Sequence, residues 1–163
     1  MSNANRLQFI TSQSLSSSAS TFNVTNCFSD LYSVYQVFIN DFVQATANTY
    51  TNLKLIDNGG SVLSANYESA EYQMASYSTF EQTRKTSTSQ MFERLNFNDS
   101  ATTGVGLSIM FFNPFSSSSF TYAINNSVGF AQSSGGIAFR GIAVHKSAES
   151  ISGFSFVMGT GAI

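Results

Sequence analysis

The stretch GLSIMFFNPFSSSSFTYAI, Gly106 to Ile124, reads as two strands joined by a turn. Side chains alternate along a strand, so Leu107, Ile109 and Phe111 share one face of the first segment and Met110 and Phe112 take the other. In the second segment Phe120, Tyr122 and Ile124 share a face, with Thr121 and Ala123 opposite. Asn113-Pro114 and the serine run from Ser116 to Ser119 supply the reversal. Apolar groups therefore stand on both faces over part of the hairpin. Such strands belong inside a sandwich or at an interface, not on a sheet with one face open to water. Which of the two applies bears directly on function.

The rest of the composition points the same way. The chain has 163 residues, which is one domain, with a polar arm over 1–6 and a single β-sandwich domain over 7–163. A domain of that length buries roughly two-thirds of its unfolded surface and needs no covalent staple. Core material is supplied by 16 Phe and 7 Tyr, with no Trp. Charged residues make up only 10%, and 29 Ser, 14 Thr and 14 Asn provide the polarity instead. Phe, Tyr, Thr and Val favour strands, whereas helices draw on Glu, Lys, Ala and Leu. This composition selects an all-β protein.

Charge and cysteine content narrow the function classes. A net charge of −2 and seven scattered Lys and Arg provide no basic footprint for nucleic acid. Arg84-Lys85 is an adjacent basic pair of the kind common in exposed loops. The one cysteine, Cys27, excludes an intramolecular disulfide and reads as a small apolar packing residue. No apolar run approaches the roughly 20 residues of a membrane-spanning helix, so no membrane insertion is expected. The start, Met-Ser-Asn-Ala-Asn-Arg, has no apolar signal region, and synthesis in a cytoplasm is expected.

Along the chain, Leu7-Gln8-Phe9-Ile10 predicts a short first strand, and Ser14 to Ser20 a serine-rich loop before the alternating Phe22 and Val24. Tyr32 to Phe42 is the strongest strand pattern. Tyr35, Val37 and Ile39 take one face and Val34, Phe38 and Phe42 the other, which predicts a central strand buried on both sides. Asn52 to Ile56 runs into Asp57-Asn58-Gly59-Gly60-Ser61, a turn signal because Asn and Gly readily take positive φ. Tyr67 to Leu95 fits either helical or alternating spacing. The preferred reading is a strand, a polar loop at Thr83 to Ser89, and another strand near Met91 to Leu95. Further strands are expected at Gly136 to Val144 and Ser152 to Met158, and glycines such as Gly104, Gly135 and Gly153 mark bulges or close backbone approach. About eight to ten short strands make an antiparallel β-sandwich of jelly-roll type.

The sequence offers little for catalysis. His145 is the only histidine and lies beside Lys146 at a strand end, which reads as a solvated loop. A Gly-x-Ser-x-Gly elbow is missing, since Gly106 to Met110 fails at its last position. One Cys and one His cannot assemble a zinc site, and the Asp57 turn lacks the carboxylate spacing of a calcium loop. Glu68 and Glu71 are an acidic pair of the kind any sandwich carries. No enzyme activity, catalytic residue, metal or cofactor is expected. Tyr67, Tyr72 and Tyr77 form a candidate aromatic surface for sugar, weighed against plain core packing.

The order of several short motifs resembles small virion-associated proteins of marine bacteriophages, including cyanophages. These motifs are SSSASTF (Ser16 to Phe22), FSDLYSVYQVFIN (Phe28 to Asn40), DNGGS (Asp57 to Ser61), GLSIMFFNP (Gly106 to Pro114) and SISGFSFVMGTGAI (Ser150 to Ile163). Related chains continue into one more strand, whereas this sequence ends at Gly161-Ala162-Ile163, so a short or missing final strand is expected. The resemblance implies a β-sandwich displayed on the outer surface of a virion made in a bacterial host. Its partners would be the major capsid protein or other virion proteins, with a homo-oligomer or a host-surface glycan as alternatives. No heptad stretch or repeat supplies the stem of a fibre, so a knob-like capsid decoration protein is the leading expectation. A tail-fibre or receptor-binding module is second, and a carbohydrate-binding module third. The candidate docking loop is Asn113, Pro114, Phe115 and Phe120.

Overall fold

The computed structural model describes residues 7–45, 49–78, 80–95, 97–98, 104–131 and 135–159. The polar arm expected over 1–6 and the chain end at 160–163 lie outside the described residues. Among the described residues ten strands are formed: β1 (Thr21–Val24), β2 (Val34–Phe42), β3 (Thr49–Asp57), β4 (Tyr67–Ala75), β5 (Glu81–Thr88), β6 (Phe97–Asn98), β7 (Val105–Phe112), β8 (Thr121–Ala131), β9 (Gly135–His145) and β10 (Ile151–Met158). They make an antiparallel β-sandwich. One sheet has the order β1-β10-β3-β6 and the other β2-β7-β8-β9-β4-β5. This is the wiring of an eight-stranded jelly roll. The three-strand meander β7-β8-β9 stands where such a roll has a single strand.

The opening hairpin settles into this frame through its register. Phe111 lies opposite Ala123, and Phe112 opposite Tyr122. Val105, Leu107, Ile109 and Phe111 are buried, so the predicted core face of β7 is correct. Phe111 stacks on Phe154 of the other sheet with centroids 5.6 Å apart. Phe28, from the β1–β2 connection, sits 5.1 Å from the Phe111 ring and 4.8 Å from that of Tyr35. Phe42 on β2 meets Phe156 on β10 at 5.9 Å. Aromatic pairs at such distances prefer tilted or offset geometry and add to the gain from buried area.

The turns follow the sequence signals. Asn113 takes a positive φ of 53° and its N–H donates to Ser33 O at 2.7 Å. Ser116 N–H donates to Asn113 O at 3.2 Å, closing the reversal that the Asn-Pro pair announces. In the Asp57 turn Gly60 has a φ of 87°, and Asp57 Oδ1 accepts from Ser61 N–H at 2.8 Å. Gly153 marks a close approach: a Cβ there would lie 2.2 Å from Val24 O. The register of β10 on β3 shifts at the same place.

Four expectations are corrected. Leu7 to Ile10 forms no strand, and Leu7 is 92% exposed. β2 is not central but the edge of the six-stranded sheet, and its outer-face Phe38 is 67% exposed. Apolar groups on both faces of a strand do not by themselves mean two buried faces. The polar stretch at Thr83 to Ser89 belongs mostly to strand β5, an edge strand whose polar side chains suit solvent. Met91 to Leu95 is not a strand. It runs as an irregular segment held by Met91 N–H to Leu53 O at 2.7 Å and Leu53 N–H to Phe92 O at 2.9 Å, with Met91, Phe92 and Leu95 fully buried. β10, in contrast, is a full strand at the middle of its sheet.

Phe111 therefore links the two sheets, and Phe111→Ala should destabilise the chain by about 3–5 kcal/mol in a urea titration. Phe38→Ala, at an exposed edge position, should stay within about 0.5 kcal/mol of wild type. Similar losses for both would reject the assignment of faces.

Candidate functional site

The outer face of the six-stranded sheet is where the fold departs from an ordinary sandwich. Cross-strand register places Val34, Phe112, Tyr122 and Val144 in one row across β2, β7, β8 and β9. The next row runs Gln36, Met110, Ile124, Ile142 and, on β4, Ala70. Val34 is 50%, Tyr122 47% and Ile142 61% exposed. Neighbouring strands lie about 4.8 Å apart, so the side chains of a row touch one another. Such apolar cover on the outer face of an antiparallel sheet makes these rows the candidate interaction surface.

Polar groups have gone to the inner face instead. β8 turns Thr121, Ala123, Asn125 and Ser127 inward, all buried, while its aromatic and branched residues look outward. On β4 the inward residues are Tyr67, Ser69 and Glu71, and β9 brings His145 beside them. Gly141 lies in register between Asn125 and Glu71. A Cβ on Gly141 would stand 3.0 Å from the Phe92 ring, so the glycine makes the room in which the 91–95 segment closes this half of the interior.

Glu68 and Glu71 point to opposite sides, as residues three apart on a strand must. Glu68 pairs with Lys146 at the surface. Glu71 is 6% exposed and its oxygens meet no well-placed hydrogen-bond donor. Burial pushes its carboxyl up from an ordinary 4.5 to about 7, and the backbone N–H and guanidinium of Arg94 offset only part of that. Lys85 also pulls it down and Glu93 raises it, and those two pair with each other at 2.9 Å.

His145 is not solvated as expected. It is 1% exposed, with its ring 4.8 Å from that of Tyr67 and Nε2 3.7 Å from Glu149 Oε1. Burial lowers its pKa, and Glu149 and a backbone contact at Ala65 act against that. The neighbour that holds it, Tyr67, is itself fully buried and accepts a hydrogen bond from Leu55 N–H at 3.0 Å. Cys27 is buried, and its thiol is pushed up to about 12 by burial, which suits the expected packing role. Among the described residues no group of three or more His, Cys, Asp or Glu is placed to hold a metal ion.

The sequence-derived candidates are thus dispersed. Of the aromatic surface, Tyr67 belongs to the core, which corrects that grouping; Tyr72 and Tyr77 are about two-fifths exposed. Tyr72 faces outward beside Arg140 and lies 5.5 Å from the Phe80 ring. Of the docking loop, Pro114 is buried and its carbonyl accepts from Ile151 N–H at 2.8 Å. Phe115 packs against the core and Asn113 is half-buried in the turn. Only Phe120 is well exposed, and it leads into Tyr122 on the outer face. The rows through Ile124 and Ile142 were not singled out from sequence. Their signal was the surplus of apolar residues at alternate positions opposite small polar ones in β8.

The buried carboxyl gives a pH signature. Between about pH 4.5 and 7 the folded chain keeps a proton on Glu71 that the unfolded chain has released. Its stabilising share is complete below about 4.5 and is lost as pH rises through 7. His145 acts in the reverse sense, losing stability as pH falls below its ordinary 6.5, so the two partly cancel in wild type. Glu71→Gln isolates one of them. Its stability relative to wild type should rise by about 1–3 kcal/mol between pH 4.5 and 8 in urea titrations. A difference that does not change with pH would mean that Glu71 titrates as a solvated acid.

No protein-family model, curated protein or solved structure matches the chain.

Proposed function

We propose that this chain is a structural assembly protein that docks through the outer face of its six-stranded sheet, and that its partner is the major capsid protein of a phage shell, which it decorates. The observation that carries the docking reading is the pair of apolar rows crossing β2, β7, β8 and β9 while β8 turns its polar residues inward. Six strands of at least eight residues span an outer face of about 800 Å², from their spacing and rise. That equals one partner's share of a standard protein–protein interface. The resemblance to small virion proteins of marine phages points to the shell as partner. Scarce charge suits a part that must pack in many copies without mutual repulsion.

A partner for this face is chemically constrained. It offers apolar side chains to the central rows and a carboxylate toward the β4–β5 side, where Arg84 and Arg140 flank Ala70 and Tyr72. Among the described residues neither arginine pairs with an acid. The same two arginines with the Tyr72–Phe80 ring pair favour a second reading, a receptor-binding module that takes an acidic glycan.

Ile142→Glu tests the docking reading. The substitution places a charge in the exposed middle of the rows, so it should leave the unfolding midpoint nearly unchanged and abolish co-sedimentation with shells lacking the protein. Undiminished binding would reject the face. Copy number per purified virion, from quantitative electrophoresis against the major capsid protein, separates the two seats. A number matched to lattice positions supports decoration, a few copies set by tail symmetry support the receptor module, and absence from the particle rejects both.

A further inference from the structure

β1 and β2 are the edge strands of their sheets on the same side of the sandwich, and between them Phe28 touches Tyr35 on β2 and Phe154 on β10, the neighbour of β1. Between them an apolar cleft of about 630 Å³ opens, walled by Phe22, Val24, Val37, Ile39, Phe154 and Phe156. Residues 7–13 lie along its mouth. They fit it poorly. Leu7 is 92% and Phe9 77% exposed. Among the described residues, 7–13 form no backbone hydrogen bond. The Tyr32 hydroxyl donating to Gln8 Oε1 is the side-chain tie. A segment with the alternation of a strand thus lies unpaired beside two unpaired strand edges, each a template for main-chain pairing.

We propose that residues 7–13 are an exchange arm, which in an assembly leaves its own cleft and adds as a strand to the open edge of β2 in a second copy of this chain. The occupant is specified by the cis arrangement: a cleft that already receives this segment at its mouth presents the same walls to the identical segment of a neighbour. The tether explains why the arm stays unpaired at home. Residues 14–20 hold five serines and lead straight into β1, so the arm is anchored at one wall of the cleft it should enter. A serine-rich linker of seven residues has a root-mean-square reach of roughly 15 Å, enough to cross to an adjoining copy. There the arm arrives untethered to that cleft and can bury Leu7, Phe9 and Ile10 while pairing its backbone with β2. Main-chain bonds would provide affinity and the alternate apolar side chains specificity. The cleft shares Val34 and Gln36 with the outer sheet face, but the inference rests on main-chain pairing at the free edge of β2 and not on docking of that face.

The test uses two full-length chains in a Cys27→Ala background, one carrying Leu7→Cys and the other Ile39→Cys. They are mixed at high concentration and treated with a short flexible bismaleimide. A covalent heterodimer is expected, and none when Thr86→Cys on the far edge strand β5 replaces Ile39→Cys. In native mass spectrometry the unmodified chain should form a dimer that the Leu7→Ser, Phe9→Ser double variant loses while keeping its circular dichroism spectrum. Adducts confined to monomers of a chain carrying both cysteines would overturn the proposal, because the arm would then stay in its own cleft. So would a monomer at every concentration, including one carrying a co-purified lipid, which would assign the cleft to an acyl chain.

Discussion

The stacking of Phe111 on Phe154, wedged by Phe28, is the contact from which the rest of the architecture follows. It joins β7 to β10, an inner strand of the opposite sheet, and so fixes which way β7 faces. Strand alternation then leaves no freedom. With Phe111 inside, Met110 and Phe112 must look outward, and the register carries the same orientation to Ile124 and Tyr122 on β8. Slipping the hairpin by one residue would exchange the two faces, bringing Tyr122 and Ile124 in and sending Ala123 and Asn125 out. A slip of that kind would look favourable on hydrophobic grounds alone. What opposes it is room: Ala123 and Ala143 share one buried cluster with Phe92, Phe154 and Phe156, and a Cβ on neighbouring Gly141 would already stand 3.0 Å from the Phe92 ring.

This arrangement has an energetic consequence at the other end of the interior. Asn125, Ser127, Ser69 and Glu71 are shut away from water, and both amide atoms of Asn125 lack a hydrogen-bond partner among the described residues. Leaving such groups unsatisfied costs about 1–3 kcal/mol each. Burial pushes the Glu71 carboxyl up to about 7, and the proton it then keeps below that pH limits the penalty of burying a charge. The four-stranded sheet is too narrow to cover all six strands opposite, and Met91, Phe92 and Leu95 fill the gap as an irregular plug. Arg94, two residues after Phe92, stays within reach of Glu71 and rests over the Tyr50 ring at 4.9 Å.

Much of this was legible in the sequence, and the failures have physical causes. The hairpin, the Asp57 turn and the β10 pattern could be read because alternation and turn chemistry are local. The edge position of β2 could not, since an apolar residue facing a missing partner looks the same in sequence as one facing a core. Thr83 to Ser89 reads as a loop because it lacks apolar alternation, yet an edge strand such as β5 needs none when its partner β4 supplies the hydrogen bonds. Met91 to Leu95 has the composition of a strand but gains its burial as a plug, which depends on the unequal width of the two sheets. For the candidate surface, the apolar surplus of β7 and β8 was visible at once. Its extension through Ile142 and Val144 was not, because only the pairing of β9 with β8 aligns those residues with Ile124 and Tyr122.

The wiring explains why the apolar surplus falls where it does. An eight-stranded roll with one strand in place of β7-β8-β9 would have two sheets of equal number and an outer face interrupted by a single strand. Here that position is a meander, and the six residues at the heart of the two rows, Met110, Phe112, Tyr122, Ile124, Ile142 and Val144, all belong to it. The added strands widen the sheet beyond what the opposite sheet can cover, and the middle strand β8 turns Thr121, Asn125 and Ser127 inward while β7 and β9 keep apolar inner residues such as Ile109, Phe111, Ile137 and Phe139. Their outer faces carry the aromatic and branched residues that an ordinary roll would keep inside. A sheet built this way carries part of its hydrophobic surface on an exposed outer face, which is the face the proposed docking would cover.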